Sequence, residues 1–138
     1  MSERIIQITE LDRKRLIDLI LEAQSGEYRK SIYLDQLRGE LERAQIVPSQ
    51  DIPGDVITMN STVTLTDLDT NEEETYTLVY PEHADTTQAK VSILAPIGTA
   101  MLGYRAGDVF EWEVPAGTRR LKVTKIHYQP EASGNFDL

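Results

Sequence analysis

The sequence predicts an α+β protein: a short antiparallel helical hairpin, then an antiparallel sheet carrying one short helix. Three observations predict it. Up to residue 47 the apolar residues recur at three- and four-residue spacing, the period of a helix. From Asp55 onward they alternate with threonines and charges, the period of a strand. Between the two lies "VPSQDIPGD", whose Pro48 and Pro53 end helical structure and stiffen a connection. The chain therefore divides into a hairpin (1–47), a linker (48–54) and a sheet domain (55–138).

Thr9 with Asp12 is a capping box in shortened form, and it opens the first helix. Leu16, Ile20 and Ala23 form its stripe, broadened by Ile17 and Leu21; Gly26 in "QSGEYRK" stops it. Ser31 caps a second helix, where Leu34, Leu37, Leu41 and Ala44 repeat as a coiled-coil seam does. Arms of about fifteen residues reach ~22 Å at 1.5 Å per residue. A free hairpin of that length is marginal, so it must lean on the rest of the chain. "STVTLTDL" and "TYTLVY" are strands joined through the charged turn "DTNEEE". "AKVSILA", "DVFEWEV" and "RRLKVTKIHY" are three more, the last two linked by the turn "PAGT". Pro96 suits the first turn of a short helix and Gly103 its end. The tail "PEASGNFDL" frays unless Phe136 and Leu138 pack back.

Composition narrows the function. There is no cysteine among the 138 residues, which excludes disulfides, zinc–thiolate sites and cysteine nucleophiles. No apolar run approaches the ~18 residues of a membrane span, and the N-terminus lacks the order of a signal peptide. A cytoplasmic protein without membrane association is expected. The net charge is −9, with 14 Lys/Arg against 23 Asp/Glu. Most of the acid excess lies beyond residue 47, the wrong sign for gripping a nucleic-acid backbone, so a protein partner is expected instead.

Residues able to do chemistry are few. His83 and His127 stand far apart without a ligand partner, and read as solvated or half-buried side chains. Glu72, Glu73 and Glu74 read as a solvated hairpin tip rather than a Mg²⁺ site. Tyr76, Tyr80, Tyr104, Phe110 and Trp112 read as core more readily than as a pocket lining. Gly103 and Gly107 are turn glycines, and "DRKR" (12–15) is a solvated basic turn. No catalytic motif, cofactor site or metal site is visible. The unusual stretch is "SILAPIGTAMLG" (92–103), an apolar proline turn at the rim of a sheet. It buries Ile97 and Leu102, and it is also a rigid contact point that loses little entropy on binding.

"DVITMNSTVTLTDLDTNEEETYTLVYPEHAD" followed by "VSILAPIGTAMLGYRAGDVFEWEVPAG" resembles the C-terminal domain of the bacterial Gre transcript-cleavage factors. The shared pattern is strand, Ala95-Pro96, a small helix with Ala100 and Gly103, then Gly107-Asp108 and the Pro115–Gly117 turn. With "LRGELERAQIVPSQDIPGDVITMNS", "LVYP", Trp112 and "YQPEASG", the chain resembles the Rnk subfamily, regulators of nucleoside diphosphate kinase, over nearly its whole length. The resemblance implies an FKBP-like sheet domain, RNA polymerase as the partner, and docking at the rim of the secondary channel. The docking residues it implies are Ala95, Pro96, Ile97 and Thr99; Leu94 stands where some Gre factors carry an acid. Gre factors carry an acidic pair at the tip of a long coiled coil, which helps hold a catalytic Mg²⁺. Here the tip is Gly26, Glu27, Tyr28, Lys30: Glu27 matches the first acid and Lys30 replaces the second, which opposes cation binding. The expectation is a monomeric, non-enzymatic polymerase regulator that competes with Gre-like factors without efficient transcript cleavage. Two alternatives stand beside it. One is a cleavage-stimulating factor using Glu27, with Asp35 or Glu22. The other is a prolyl isomerase, suggested by fold analogy alone.

Overall fold

Thr9 ends one element and begins the next. Strand β1 (Gln7–Thr9) runs directly into helix α1 (Glu10–Ala23), and the Thr9 hydroxyl accepts the Asp12 N–H at 3.1 Å. That is half of the expected capping box; the Asp12 carboxyl does its work elsewhere. The structure, a computed structural model, describes residues 6–23, 32–114 and 117–134, without the side chains of 32, 33, 96 and 112–114. Helix α2 (Ile32–Arg43) runs back along α1 and feeds strand β2 (Gln45–Val47), which pairs in parallel with β1, Ile8 opposite Ile46. Sequence periodicity does not predict this two-stranded clamp. Three residues are too few to display an alternation, and "IIQIT" reads as well as a helix approach. The clamp closes the base of the hairpin.

The hairpin does lean on the rest of the chain. Leu16, Ile20 and Ala23 of α1 and Leu34, Leu37 and Leu41 of α2 are buried in one core with Ile57, Met59, Met101 and Leu102. Ile6 packs so closely on Gly103 that a Cβ there would lie 2.4 Å from the Ile6 Cβ. Gly103 also has φ +85°, so glycine is required at this position twice over.

The main sheet has five strands in the order β5-β4-β3-β7-β6: β3 (Thr62–Asp67), β4 (Glu73–Val79), β5 (Lys90–Ser92), β6 (Val109–Val114) and β7 (Gly117–Tyr128). Val63, Leu65 and Val123 face the core, while Thr62, Thr64 and Thr66 line the other face and bond to Thr77, Thr75 and Thr124. The predicted antiparallel sheet is mixed at one edge, because β5 lies parallel to β4. Two short 3-10 turns (Pro81–His83 and Thr86–Gln88) carry the chain back across the sheet edge, so it re-enters in the same direction. The predicted strand "AKVSILA" shrinks to Lys90–Ser92, since the Ser92 hydroxyl captures the Leu94 N–H and ends the ladder. The C-terminal turn is held rather than frayed as far as Gly134: the Gln129 amide donates to the carbonyls of Pro53 and Val56, at 2.7 Å each. Phe136 and Leu138 lie outside the described residues.

Candidate functional site

The proline turn is built from beneath. After β5, the Ala95 N–H bonds to the Ser92 carbonyl at 3.0 Å, and Ala95 takes an extended conformation (φ −74°, ψ 152°) suited to the residue before a proline. Helix α3 (Pro96–Met101) then starts with the proline in its first turn, where a missing N–H costs nothing. The Thr99 N–H closes that turn on the Ala95 carbonyl, and the Thr99 hydroxyl donates to the Ile93 carbonyl at 2.6 Å. Gly98 lies against the backbone it has just left; a Cβ there would sit 2.0 Å from the Ser92 carbonyl oxygen. The turn is therefore pinned at one end to the last residue of β5, Ser92, and at the other to Ile93, the residue after it.

The four expected docking residues divide accordingly. Ala95 is half-buried at the surface. Ile97 and Thr99 turn inward, Ile97 bordering the same crevice as Leu65, Tyr76 and Leu121. Pro96 is placed by its backbone as the first residue of α3. The tip residues Gly26, Glu27, Tyr28 and Lys30 lie outside the described residues. Of the two acids considered beside Glu27, Asp35 is exposed and paired with Arg38 at 3.5 Å, and Glu22 sits at the rim of a cleft along α1. Among the described residues no group of three or more His, Asp or Glu is arranged to hold a metal ion. No helix among them is long and apolar enough to cross a membrane.

Among the described residues the aromatic side chains do not converge on one open cavity, Tyr76, Tyr80 and Tyr104 each bordering a different one; the Trp112 side chain lies outside the described residues. Tyr104 stacks on Phe110 with centroids 4.8 Å apart, and Tyr80 and Phe110 are buried. His83 and His127 are exposed; the His127 ring nitrogen lies 2.6 Å from the Thr64 hydroxyl.

Two polar clusters escape the sequence reading. At the base of the β3–β4 turn, Asp67 is buried and accepts from the backbone of Asp69 and Thr70 and from Arg119. The Asp69 amide, then the Arg119 guanidinium, hold the Asp67 carboxyl below the usual carboxylate range. The second cluster lies under the hairpin. Asp12 is fully buried, and its Oδ2 accepts the Met59 N–H at 3.2 Å. Burial, reinforced by the nearby Glu131 carboxylate, pushes Asp12 up to about 7. The signal was present in the sequence. Positions 9, 12, 16, 20 and 23 share one helical face, so Asp12 stands within the apolar stripe.

Comparison with known proteins agrees with this architecture. Residues 52–128 match the family model "Transcription elongation factor, GreA/GreB, C-term". A solved structure titled "Prokaryotic transcription elongation factor GreA/GreB from Nitrosomonas europaea" shares 41% identity and superposes with a TM-score of 0.75, covering 91% of this chain and all of that one. A GreA from Chelativorans sp. is 33% identical over 132 residues, 85% of this chain and 84% of the relative. The chain thus has the C-terminal fold of the GreA/GreB transcription factors. Residues 4–47 match the Rnk N-terminus, and the "Regulator of nucleoside diphosphate kinase" of Escherichia coli K12 is 41% identical over 137 residues, 99% of this chain and 98% of that protein. The chain belongs to the Rnk branch of this family.

Proposed function

We propose that the protein is a transcription regulator that binds RNA polymerase at the secondary-channel rim and competes there with Gre-like factors, without efficient transcript cleavage. The observation that carries the reading is the full-length match to an Rnk regulator, in a chain whose GreA/GreB-type domain holds a pinned turn at the sheet rim. Ala95 and Pro96 form the contact surface; Ile97 and Thr99 hold its shape from below. The hairpin is short. The 14 residues of α1 span about 21 Å, and a lysine stands near its tip where a second acid would be needed. Reach and charge both argue against metal-dependent cleavage. We keep the division into a hairpin (1–47), a linker (48–54) and a docking domain (55–138) as part of this proposal.

Competition on purified core polymerase tests it. A labelled Gre factor is bound, this protein is added, and release is followed. Displacement at about micromolar concentration supports the reading, and Ala95→Glu should abolish displacement while leaving the far-UV spectrum unchanged. No displacement at any concentration rejects it. New short 3′ fragments from halted elongation complexes supplied with the protein and Mg²⁺ would favour the cleavage reading.

A further inference from the structure

Two buried carboxylates lie near one another beneath the hairpin. Asp12 comes from α1, and Glu131 from the turn that ends the described chain; both are buried. They are held by neighbouring residues of one segment: the Met59 N–H donates to Asp12 Oδ2 at 3.2 Å, and the Thr58 hydroxyl donates to Glu131 Oε1 at 2.8 Å. Ser61 completes the cradle, its hydroxyl accepting the Thr58 N–H at 3.0 Å. Asp12 Oδ1 has no hydrogen-bond partner among the described residues. An ionised carboxylate with an unpaired oxygen, out of water and beside a second carboxylate, is strongly disfavoured; the neutral acid is not.

The other groups that face Asp12 are few. Arg15, one turn along α1, offsets part of the negative charge, and the Thr9 hydroxyl a little more. Among the described residues of β4 and its end, the ionisable neighbour is the Tyr80 phenol, which burial holds protonated. The segment 56–61 brings only amides and hydroxyls. The C-terminal turn brings Glu131, anchored in turn by Gln129 on the Pro53 and Val56 carbonyls. Three separate parts of the chain therefore converge on a single proton.

We propose that Asp12 and Glu131 form a proton-operated latch: with a proton on Asp12 the hairpin is seated on the 56–61 segment, and loss of that proton to solvent loosens the seat. The inference concerns the chain's own two parts and holds whatever the hairpin's partner is. The direction follows from linkage. Asp12 titrates at about 7 when seated and at its ordinary 3.8 when solvated. The seated form therefore binds the proton over that whole window, and opening becomes easier as pH rises through it. Between pH 6 and 8 the opening constant is expected to rise about tenfold.

Native-state hydrogen exchange on the full chain reads this directly. After correction for intrinsic rates, the opening constants of α1 amides from Leu16 to Ala23 should increase about tenfold from pH 6 to 8. Amides of Leu65 and Val123, in the centre of the sheet, should stay level. In Asp12→Asn, which keeps an acceptor for the Met59 N–H but carries no charge, the α1 rise should disappear. A rise that persists in Asp12→Asn, no rise in the wild type, or an equal rise at Leu65 and Val123 would each overturn the latch. Should Asp12→Asn not fold, carboxyl-carbon NMR of the wild type decides instead. A midpoint near 7 that moves down in Glu131→Gln supports the latch; a midpoint at the ordinary aspartate value overturns it.

Discussion

Gly98→Ala tests how the proline turn is built. An ideal Cβ at Gly98 would lie 2.0 Å from the Ser92 carbonyl oxygen, 2.9 Å from the Ser92 carbonyl carbon and 3.1 Å from the Ile93 Cα. All three are backbone atoms of the edge strand and the residue after it, so no side chain can swing away. Either α3 moves off β5 or the strand end peels back, and both break the 2.6 Å bond from Thr99 to the Ile93 carbonyl. Overpacking of this kind costs about 1–3 kcal/mol, and a lost buried hydrogen bond adds about 1. For a chain of this size that corresponds to a fall in melting temperature of roughly 6–15 °C. Thermal unfolding followed by circular dichroism measures it. Gly39→Ala is the matched control. Gly39 lies inside α2, where the nearest atom is the movable end of Arg43 at 3.2 Å, so alanine should raise stability by up to about 1 kcal/mol. A Gly98→Ala melting temperature within about 2 °C of wild type would refute the close-approach argument.

Other substitutions test the core and the charged clusters. Leu37→Ala removes a fully buried side chain in the middle of α2 and should cost about 2–5 kcal/mol in denaturant unfolding, whereas Leu21→Ala, 62% exposed, should stay within about 0.5. The unfolding free energy should fall by about 2–3 kcal/mol between pH 5 and 8, because folded Asp12 keeps its proton up to about 7 and the unfolded chain loses it near 3.8; Asp12→Asn should flatten this limb. Asp67 and Asp85 have the opposite sign. Each is held below 3.8 by amide and hydroxyl or guanidinium donors, so their contribution is present above that value and is lost as acid protonates them, giving a second limb at low pH. Asp67→Ala should lower the melting temperature more than Asp69→Ala, since Asp67 organises the turn through two backbone N–H groups and Arg119, while Asp69 pairs only with Arg120 at the surface.

Long periodic segments were legible and short or non-local ones were not. Leu16, Ile20 and Ala23, and Leu34, Leu37 and Leu41, announce two helices with one buried face each, and both faces are buried. Val63 and Leu65 announce β3 in the same way. The β1–β2 clamp was hidden because its pairing joins residues 38 apart, Gln7 with Gln45, through three-residue strands. The parallel edge was hidden because direction is set by the two 3-10 turns after Tyr80, which leave no periodic trace. At the candidate site, Pro96 and Gly103 were read correctly as helix start and end. The inward direction of Thr99 was not, since a hydroxyl that bonds a carbonyl six residues back looks like any surface threonine in sequence.

The division within the turn changes how its role can be tested. Ile97 and Thr99 are buried, so a charged substitution at either would remove binding by unfolding α3, whether or not polymerase ever touches the turn. Loss of displacement in such variants carries no information about contact. Ala95 is different. It is half-buried, and the backbone bonds that hold it, to Ser92 and from Thr99, do not depend on its side chain. Gly98→Ala supplies the complement, a turn with its surface residues unchanged and its frame distorted. If Ala95→Glu and Gly98→Ala both lose displacement while only the second loses stability, the surface is a docking face and its rigidity is part of the recognition. If only Gly98→Ala loses it, the frame matters to the fold and the polymerase contact lies on another face.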